Sequence, residues 1–294
     1  MSFDEYVKTN NLGKIEKNKS FKELTTIGTG GIIETLYYPF DIPSLQKAYK
    51  FIKDNKIKYF ILGNGSNVLA SDSYFDGIVI ATKKLPSYIN YFDNYIVVSA
   101  FYPTMKLALE LSNRGLGDLS FLGGIPGLLG GAIYNNSGAY NEAIGDSIIS
   151  VTYIDTSGKI RTISSLFCAF GYRRSIFHFV EGIIIKAKIS VSKVETKEKL
   201  KERQEKRALS QPLGFKSMGS VFKNNPLIPS WRVIDSLGLR GFRIGGAMVS
   251  SKHTNFIINT GEATSSEIIS IIELIETKAS LEFGIKMIKE ITLI

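Results

Sequence analysis

The chain has 294 residues, 44% hydrophobic and 21% charged, with a formal net charge of +9. That hydrophobic share is ample for a packed core, and at roughly 100–200 residues per domain the length favours two domains. A single cysteine, Cys168, excludes an intrachain disulfide and any four-cysteine metal site. No apolar run reaches the ~18 residues that a membrane helix needs.

The first ten residues carry Asp4, Glu5 and Lys8 and no apolar stretch, so no secretory signal is expected and the chain reads as cytoplasmic. The basic surplus raises the question of a nucleic-acid partner. However, the densest basic run, 193–207, is interleaved with Glu195, Glu198, Glu202 and Glu205, which is the pattern of a solvated helix face. No nucleic acid, membrane or metal is expected as a partner, a small acidic substrate would suit the charge, and a monomer is expected.

In chain order, the strand candidates are 59–62, 77–81, 95–100, 148–154 and 182–189, each bounded by Gly, Asp, Asn or Ser. Between them, Pro43-Ser44 precedes Leu45, Ala48, Tyr49 and Ile52 at helical spacing. Thr104 precedes Leu107, Ala108 and Leu111 before a stop at Gly115. Asp155-Thr156-Ser157-Gly158 reads as a hairpin turn. The charged stretch 194–207 is the natural hinge, dividing 1–193 from a compact 208–294 unit. In that unit Thr264-x-x-Glu267 is a capping box ahead of Ile268, Ile271, Ile272, Ile275 and Ala279 on one face, and 284–294 alternates like a strand. The fold class is α+β.

Two glycine loops carry the chemistry. The first, Gly63-Asn64-Gly65-Ser66-Asn67, follows a strand. The second runs Gly123-Gly124-Ile125-Pro126-Gly127-Leu128-Leu129-Gly130-Gly131 and on to Asn136, Gly138 and Ala139. Glycine lets backbone approach a ligand closely and take positive φ, so that successive N–H groups converge on an anion. Neither loop supplies the lysine of a phosphate-binding P-loop or the Gly-x-Gly-x-x-Gly of a dinucleotide fold. Each alone is equally a tight turn; the pair favours a large phosphate-bearing cofactor.

These loops resemble the FAD-binding domain of the UDP-N-acetylenolpyruvoylglucosamine reductases, a domain of the vanillyl-alcohol-oxidase (PCMH) type. The resemblance extends to Thr25-Thr26 with Gly30-Gly31, to Phe170-Gly171-Tyr172-Arg173-x-Ser175 and to Gln211-Pro212. It continues through Gly219-Ser220-Val221-Phe222-Lys223-Asn224, Gly238-Leu239-Arg240-Gly241 and Lys252-His253-x-Asn255-Phe256. It covers the chain from about residue 20 onward, without the insertion of the longer family members, so the chain resembles the shorter subtype. Ser137, Asn141, Asn225 and Asp235 depart from the usual pattern.

The resemblance implies non-covalent FAD held by 1–193, a smaller α/β substrate-binding domain over 208–294, and NADPH as hydride donor. The implied reaction reduces UDP-N-acetylenolpyruvoylglucosamine to UDP-N-acetylmuramate in peptidoglycan precursor synthesis. Such a reaction places negative charge on the substrate carboxylate and the adjacent carbon, so it needs a fixed cation, a donor to the enolate and an acid over the carbon. The resemblance assigns these to Arg173, Glu290 and Ser220, with Tyr172, Lys223, Asn224, His253 and Asn255 as substrate contacts. From the residues alone, Ser220 reads as a turn serine and Glu290 as an edge-strand glutamate facing water. Another FAD oxidoreductase of the same cofactor fold, and a non-enzymatic nucleotide-binding module, remain the alternatives. His178 reads as structural and Cys168 as a small buried hydrophobe.

Overall fold

The computed structural model describes residues 1–294 and divides them into two compact units. The first comprises 1–17, 35–63 and 76–205; the second comprises 18–34, 64–75 and 206–294. The units are therefore not consecutive halves of the chain. A single boundary between 193 and 208 describes the 206–294 stretch but not the two segments, 18–34 and 64–75, that join it.

A four-stranded sheet, most of whose residues belong to the first unit, runs in the order Gly13–Ser20, Ile32–Pro39, Phe75–Ala81, Tyr59–Leu62. Its last two strands are parallel, and 77–81 is a continuous buried run, as a strand covered on both faces must be. A second, antiparallel sheet orders Ile160–Ser164, Ile148–Asp155, Gly182–Ser190, Tyr95–Ser99 and Ile89–Tyr91. The turn at Asp155 joins its first two strands as expected: the Asp155 carboxylate accepts from the N–H groups of Ser157 and Lys159, and Gly158 takes φ +77°. Helix Ile42–Asp54 starts where the Asp41 carboxylate accepts from Ser44 N–H at 2.8 Å, and Leu45, Ala48, Tyr49 and Ile52 bury its inner face. Helix Thr104–Arg114 ends at Gly115 in the left-handed conformation, the usual helix stop.

The second unit has a four-stranded antiparallel sheet, Lys216–Ser217, Ile257–Asn259, Ala247–Val249 and Arg243–Ile244. Helix Ser265–Phe283 lies against it. That helix opens on the expected box, with Thr264 Oγ1 accepting from Glu267 N–H and Glu267 accepting from Thr264 N–H. Its isoleucine-rich stripe is intrinsically a modest helix former. Burial of Ile268, Ile271, Ile272 and Ile275, at about 1.5–3 kcal/mol each, is what holds the helix in place. Asp72 accepts from the Ser265 and Ser266 N–H groups at the helix start, both at 2.9 Å, which binds the 64–75 segment into this unit.

The 284–294 segment is less regular than its alternation suggests. Only Thr292–Leu293 forms a strand, pairing in parallel with Val68–Leu69. Residues 288–290 bond instead to 221–223.

Candidate active site

The first glycine loop is divided between the units. Gly63 belongs to the first, with Leu128 directly against it. Residues 64–67 belong to the second. Gly65 has φ +64°, and a β-carbon there would lie 2.4 Å from the Leu24 carbonyl oxygen and 2.8 Å from Thr25 Cα, so only glycine fits. Its carbonyl accepts from Thr26 N–H at 3.0 Å, and the Thr26 hydroxyl donates to Ser217 C=O at 2.6 Å. The threonine motif at 25–26 thus sets the loop. With the carbonyl so held, the backbone N–H groups of Asn64, Gly65 and Asn67 find no acceptor in the chain. Such a row of unused donors fits an anionic group.

The second loop lies wholly in the first unit. Buried Thr104 donates to Ile125 C=O at 2.5 Å, Gly127 C=O accepts from Thr104 N–H at 3.1 Å, and Gly130 N–H donates to Ala100 C=O at 2.7 Å. Gly127 N–H has no acceptor in the chain, and a β-carbon on Gly131 would meet only open space. Gly124 and Pro126 lie on the same loop. Each loop, taken by itself, therefore presents unengaged backbone N–H of the kind an anionic group uses. Asn136 ties the loop to neighbouring backbone. Its amide donates to Gly171 C=O and accepts from Gly145 N–H, both at 2.9 Å, which links the loop to the segment that bears Arg173.

Arg173 stands in a tight turn closed by Gly171 and Arg174, at φ +51°. Its Nη2 donates to Gly138 C=O at 2.8 Å, and its guanidinium lies 5.1 Å from the exposed Tyr172 ring. Buried Ser175 donates to Tyr134 C=O at 2.7 Å. Gly138 and Ala139 form a short hairpin with Ala143 and Glu142. Burial works to raise the Glu142 carboxyl, but hydrogen bonds from Arg203 and Lys199 outweigh it and hold the group below the usual range. Neither cation nor Glu142 is conspicuous in the sequence; the interleaved charges of 193–207 read as solvated, whereas Lys199 and Arg203 of helix Lys197–Ser210 are engaged.

The second unit assembles the other reacting candidates. Glu290 N–H donates to Val221 C=O, Lys223 N–H donates to Ile288 C=O, both at 2.8 Å, and Phe222 pairs with Lys289. This antiparallel contact sets half-buried Ser220 and half-buried Glu290 on adjoining segments. The Asn67 amide donates to Glu290 C=O at 3.1 Å, so the first glycine loop adjoins them. Lys223 C=O accepts from Ser230 Oγ at 2.5 Å, and Asn224 Oδ1 accepts from Ser230 N–H at 3.1 Å.

A motif asparagine braces this segment. Asn255 is 3% exposed; its Oδ1 accepts from Phe222 N–H at 2.9 Å and its amide donates to Phe222 C=O at 2.8 Å. With both polar ends on Phe222, the side chain supports the segment next to Ser220 through the backbone. His253 packs edge-on to Phe256 at 5.0 Å, and its Nδ1 is buried without a partner. Burial first, and then the Arg240 and Arg207 charges, lower its pKa. Cys168 in the first unit is buried, and burial raises its thiol to about 11, consistent with an inert packing role.

Residues 34–164 match the family described as "FAD binding domain", and residues 211–294 match "UDP-N-acetylenolpyruvoylglucosamine reductase, C-terminal domain". The chain is 37% identical over 278 residues to the UDP-N-acetylenolpyruvoylglucosamine reductase of Carboxydothermus hydrogenoformans, covering 94% of this chain and 92% of that one. It is also 37% identical to the enzyme of the same name from Orientia tsutsugamushi, covering 96% and 95%. The solved structure of UDP-N-acetylenolpyruvylglucosamine reductase from Thermus caldophilus superposes with a TM-score of 0.81 at 28% identity, covering 96% of this chain and 99% of that one. The α+β class with an FAD-binding domain, expected from the sequence, is the one the chain has. The chain belongs to the UDP-N-acetylenolpyruvoylglucosamine reductase family of FAD-containing oxidoreductases.

Proposed function

We propose that this chain reduces UDP-N-acetylenolpyruvoylglucosamine to UDP-N-acetylmuramate with NADPH, through non-covalently bound FAD, in the cytoplasm as a step of peptidoglycan precursor synthesis. The observation that carries the reading is the juxtaposition in the second unit of Ser220, Glu290 and the donor-rich 64–67 loop. The two glycine loops would hold FAD, which when bound would carry the hydride from the nicotinamide to the enolpyruvyl double bond. The protein supplies the rest. Negative charge develops on the substrate carboxylate, where Arg173 offers a permanently charged, planar partner. Glu290, in its protonated form, donates to the same enolate. Ser220 delivers the proton to the carbon beside the carboxylate, with Lys223 stabilising the alkoxide left behind. Tyr172, Asn224, His253 and Asn255 supply contacts to the UDP-sugar, and of these Tyr172 and Asn224 are exposed.

Stopped-flow absorbance separates the two half-reactions. Ser220→Ala should be reduced by NADPH at the parent rate, and its reoxidation by the enolpyruvyl sugar should slow by about 10²–10⁴-fold, the usual range for a general acid. Equal slowing of both halves makes Ser220 a structural residue; an unchanged oxidative half places the proton donor elsewhere.

A further inference from the structure

Helix Lys197–Ser210 is the most charged element of the chain, and the chemistry above makes no use of it. Its first turns grip two pieces of the first unit. Toward the second glycine loop, Lys199 pairs with Asp118, Arg203 Nη1 donates to Ser120 Oγ at 2.8 Å, and Gln204 donates to Gly123 C=O at 3.2 Å. Leu200, the helix's buried residue, fills the space where a Gly123 β-carbon would be.

Toward the 138–143 hairpin the grip is ionic. Lys199 Nζ reaches Glu142 Oε1 at 3.0 Å, and Arg203 Nη1 reaches Glu142 Oε2 at 2.6 Å. The Tyr140 hydroxyl donates to Arg203 C=O at 3.2 Å, and its ring lies 4.8 Å from the Arg203 guanidinium. Glu142 is thus held at both oxygens. It stands opposite Ala139 in the hairpin, next to the Gly138–Ala143 pair, and Gly138 C=O is the acceptor that fixes Arg173. The hairpin has no slack at this point, since a β-carbon on Gly138 would lie 2.2 Å from the Glu142 carbonyl oxygen.

We propose that Glu142 is a positioning residue for Arg173: clamped by Lys199 and Arg203, it fixes the hairpin whose Gly138 carbonyl sets the guanidinium. The proposal rests on the role of Arg173 at the substrate carboxylate. An exposed ion pair contributes little, but the Arg203 side chain is only 11% exposed, and removing one partner leaves two cations facing an emptied site. The consequence is displacement of Arg173, and misplacement by ~1 Å can cost ~10² in rate.

The test uses flavin-loaded Glu142→Gln, Glu142→Asp, Arg203→Gln and Arg173→Ala, and the Glu142→Gln/Arg173→Ala double variant. Each is read by stopped-flow of both half-reactions and by amide hydrogen exchange over 138–145. Glu142→Gln should slow the oxidative half roughly 10-fold or more, with NADPH reduction and flavin content unchanged and hairpin amides exchanging faster. Glu142→Asp should restore part of the rate, and in the Arg173→Ala background Glu142→Gln should add nothing. Equal slowing of both halves, a loosened hairpin with an unchanged oxidative half, or multiplying effects in the double variant overturn the proposal. A normal Glu142→Gln beside an impaired Arg173→Ala overturns this inference alone. An unimpaired Arg173→Ala overturns the assigned role of Arg173 and the inference with it.

Discussion

Replacing Asn255 by leucine tests how the Ser220 segment is held. Leucine is close in volume but offers neither donor nor acceptor, so Phe222 N–H and C=O lose bonds of 2.9 and 2.8 Å at a residue only 1% exposed. An orphaned buried backbone group costs about 1–3 kcal/mol, so two cost roughly 2–6 kcal/mol, a large part of the ~5–15 kcal/mol available to a domain. Trp231, the only tryptophan, lies in helix Ser230–Ser236 of the same unit, and its carbonyl accepts from Thr254 beside Asn255, so its fluorescence reports this region. At a urea slope of about 2 kcal/mol/M the midpoint should fall by roughly 1–3 M.

Asn255→Asp sharpens the test. A protonated carboxyl can accept from Phe222 N–H and donate to Phe222 C=O as the amide does, whereas the carboxylate faces that carbonyl with no proton to give. The folded state should therefore raise this carboxyl above its ordinary ~3.9. Because the folded state then binds the proton more tightly, the stability of the variant is fully present below about pH 4 and lost as pH rises through the raised folded value. Leucine and aspartate variants that both unfold within ~0.5 kcal/mol of the parent at pH 7, the range of an ordinary surface change, would refute the bracing role.

Gly65→Ala forces a β-carbon to within 2.4 Å of the Leu24 carbonyl oxygen at φ +64°; it should distort the 64–67 loop and lower flavin retained through gel filtration, and parent-level retention would show that the loop adapts. His253 has its pKa lowered from 6.5 by burial, so the folded state disfavours the charged ring. The stability this contributes is present above pH 6.5 and lost as pH falls through the folded value. Urea midpoints for the parent should decline between pH 7.5 and 5, and His253→Asn should show a flatter profile; parallel profiles would mean that the ring titrates normally.

What was legible in the sequence is what local chemistry decides. The Thr264–Glu267 box and the isoleucine stripe define a helix within twenty residues, and the Asp155 turn closes on its own side chain. What was not legible depends on distant partners. Segment 18–34 joins the second unit partly through Asn259, whose amide donates to Ile27 C=O across 232 positions. The 284–294 alternation suggested a full strand, but 288–290 follow the 221–223 backbone and only 292–293 enter a regular pair. In the candidate site, the motifs singled out Arg173, Ser220 and Glu290 but not the backbone ties of Asn136 and Asn255, whose amides bond to Gly171 and Phe222, 35 and 33 residues away. The 193–207 charges read as solvated because Glu142 and Asp118, which engage them, lie 57 and 81 residues from Lys199.

The pairing of 67–71 with 290–294 also imposes an order on biosynthesis. The Asn67 amide finds its partner in Glu290 C=O, the Asn67 C=O in Thr292 N–H, and both Leu69 C=O and Ser71 N–H in Ile294, 223 positions later in the case of the Asn67 amide. At a translation rate of roughly 5–20 residues per second, the 67–71 stretch waits about 10–45 s on the ribosome before those partners exist. Throughout that interval it is a strand without its neighbour, open to proteases and chaperones. Nascent chains arrested before Glu290 should accordingly be cleaved within 64–75, and chains released past Ile294 should resist.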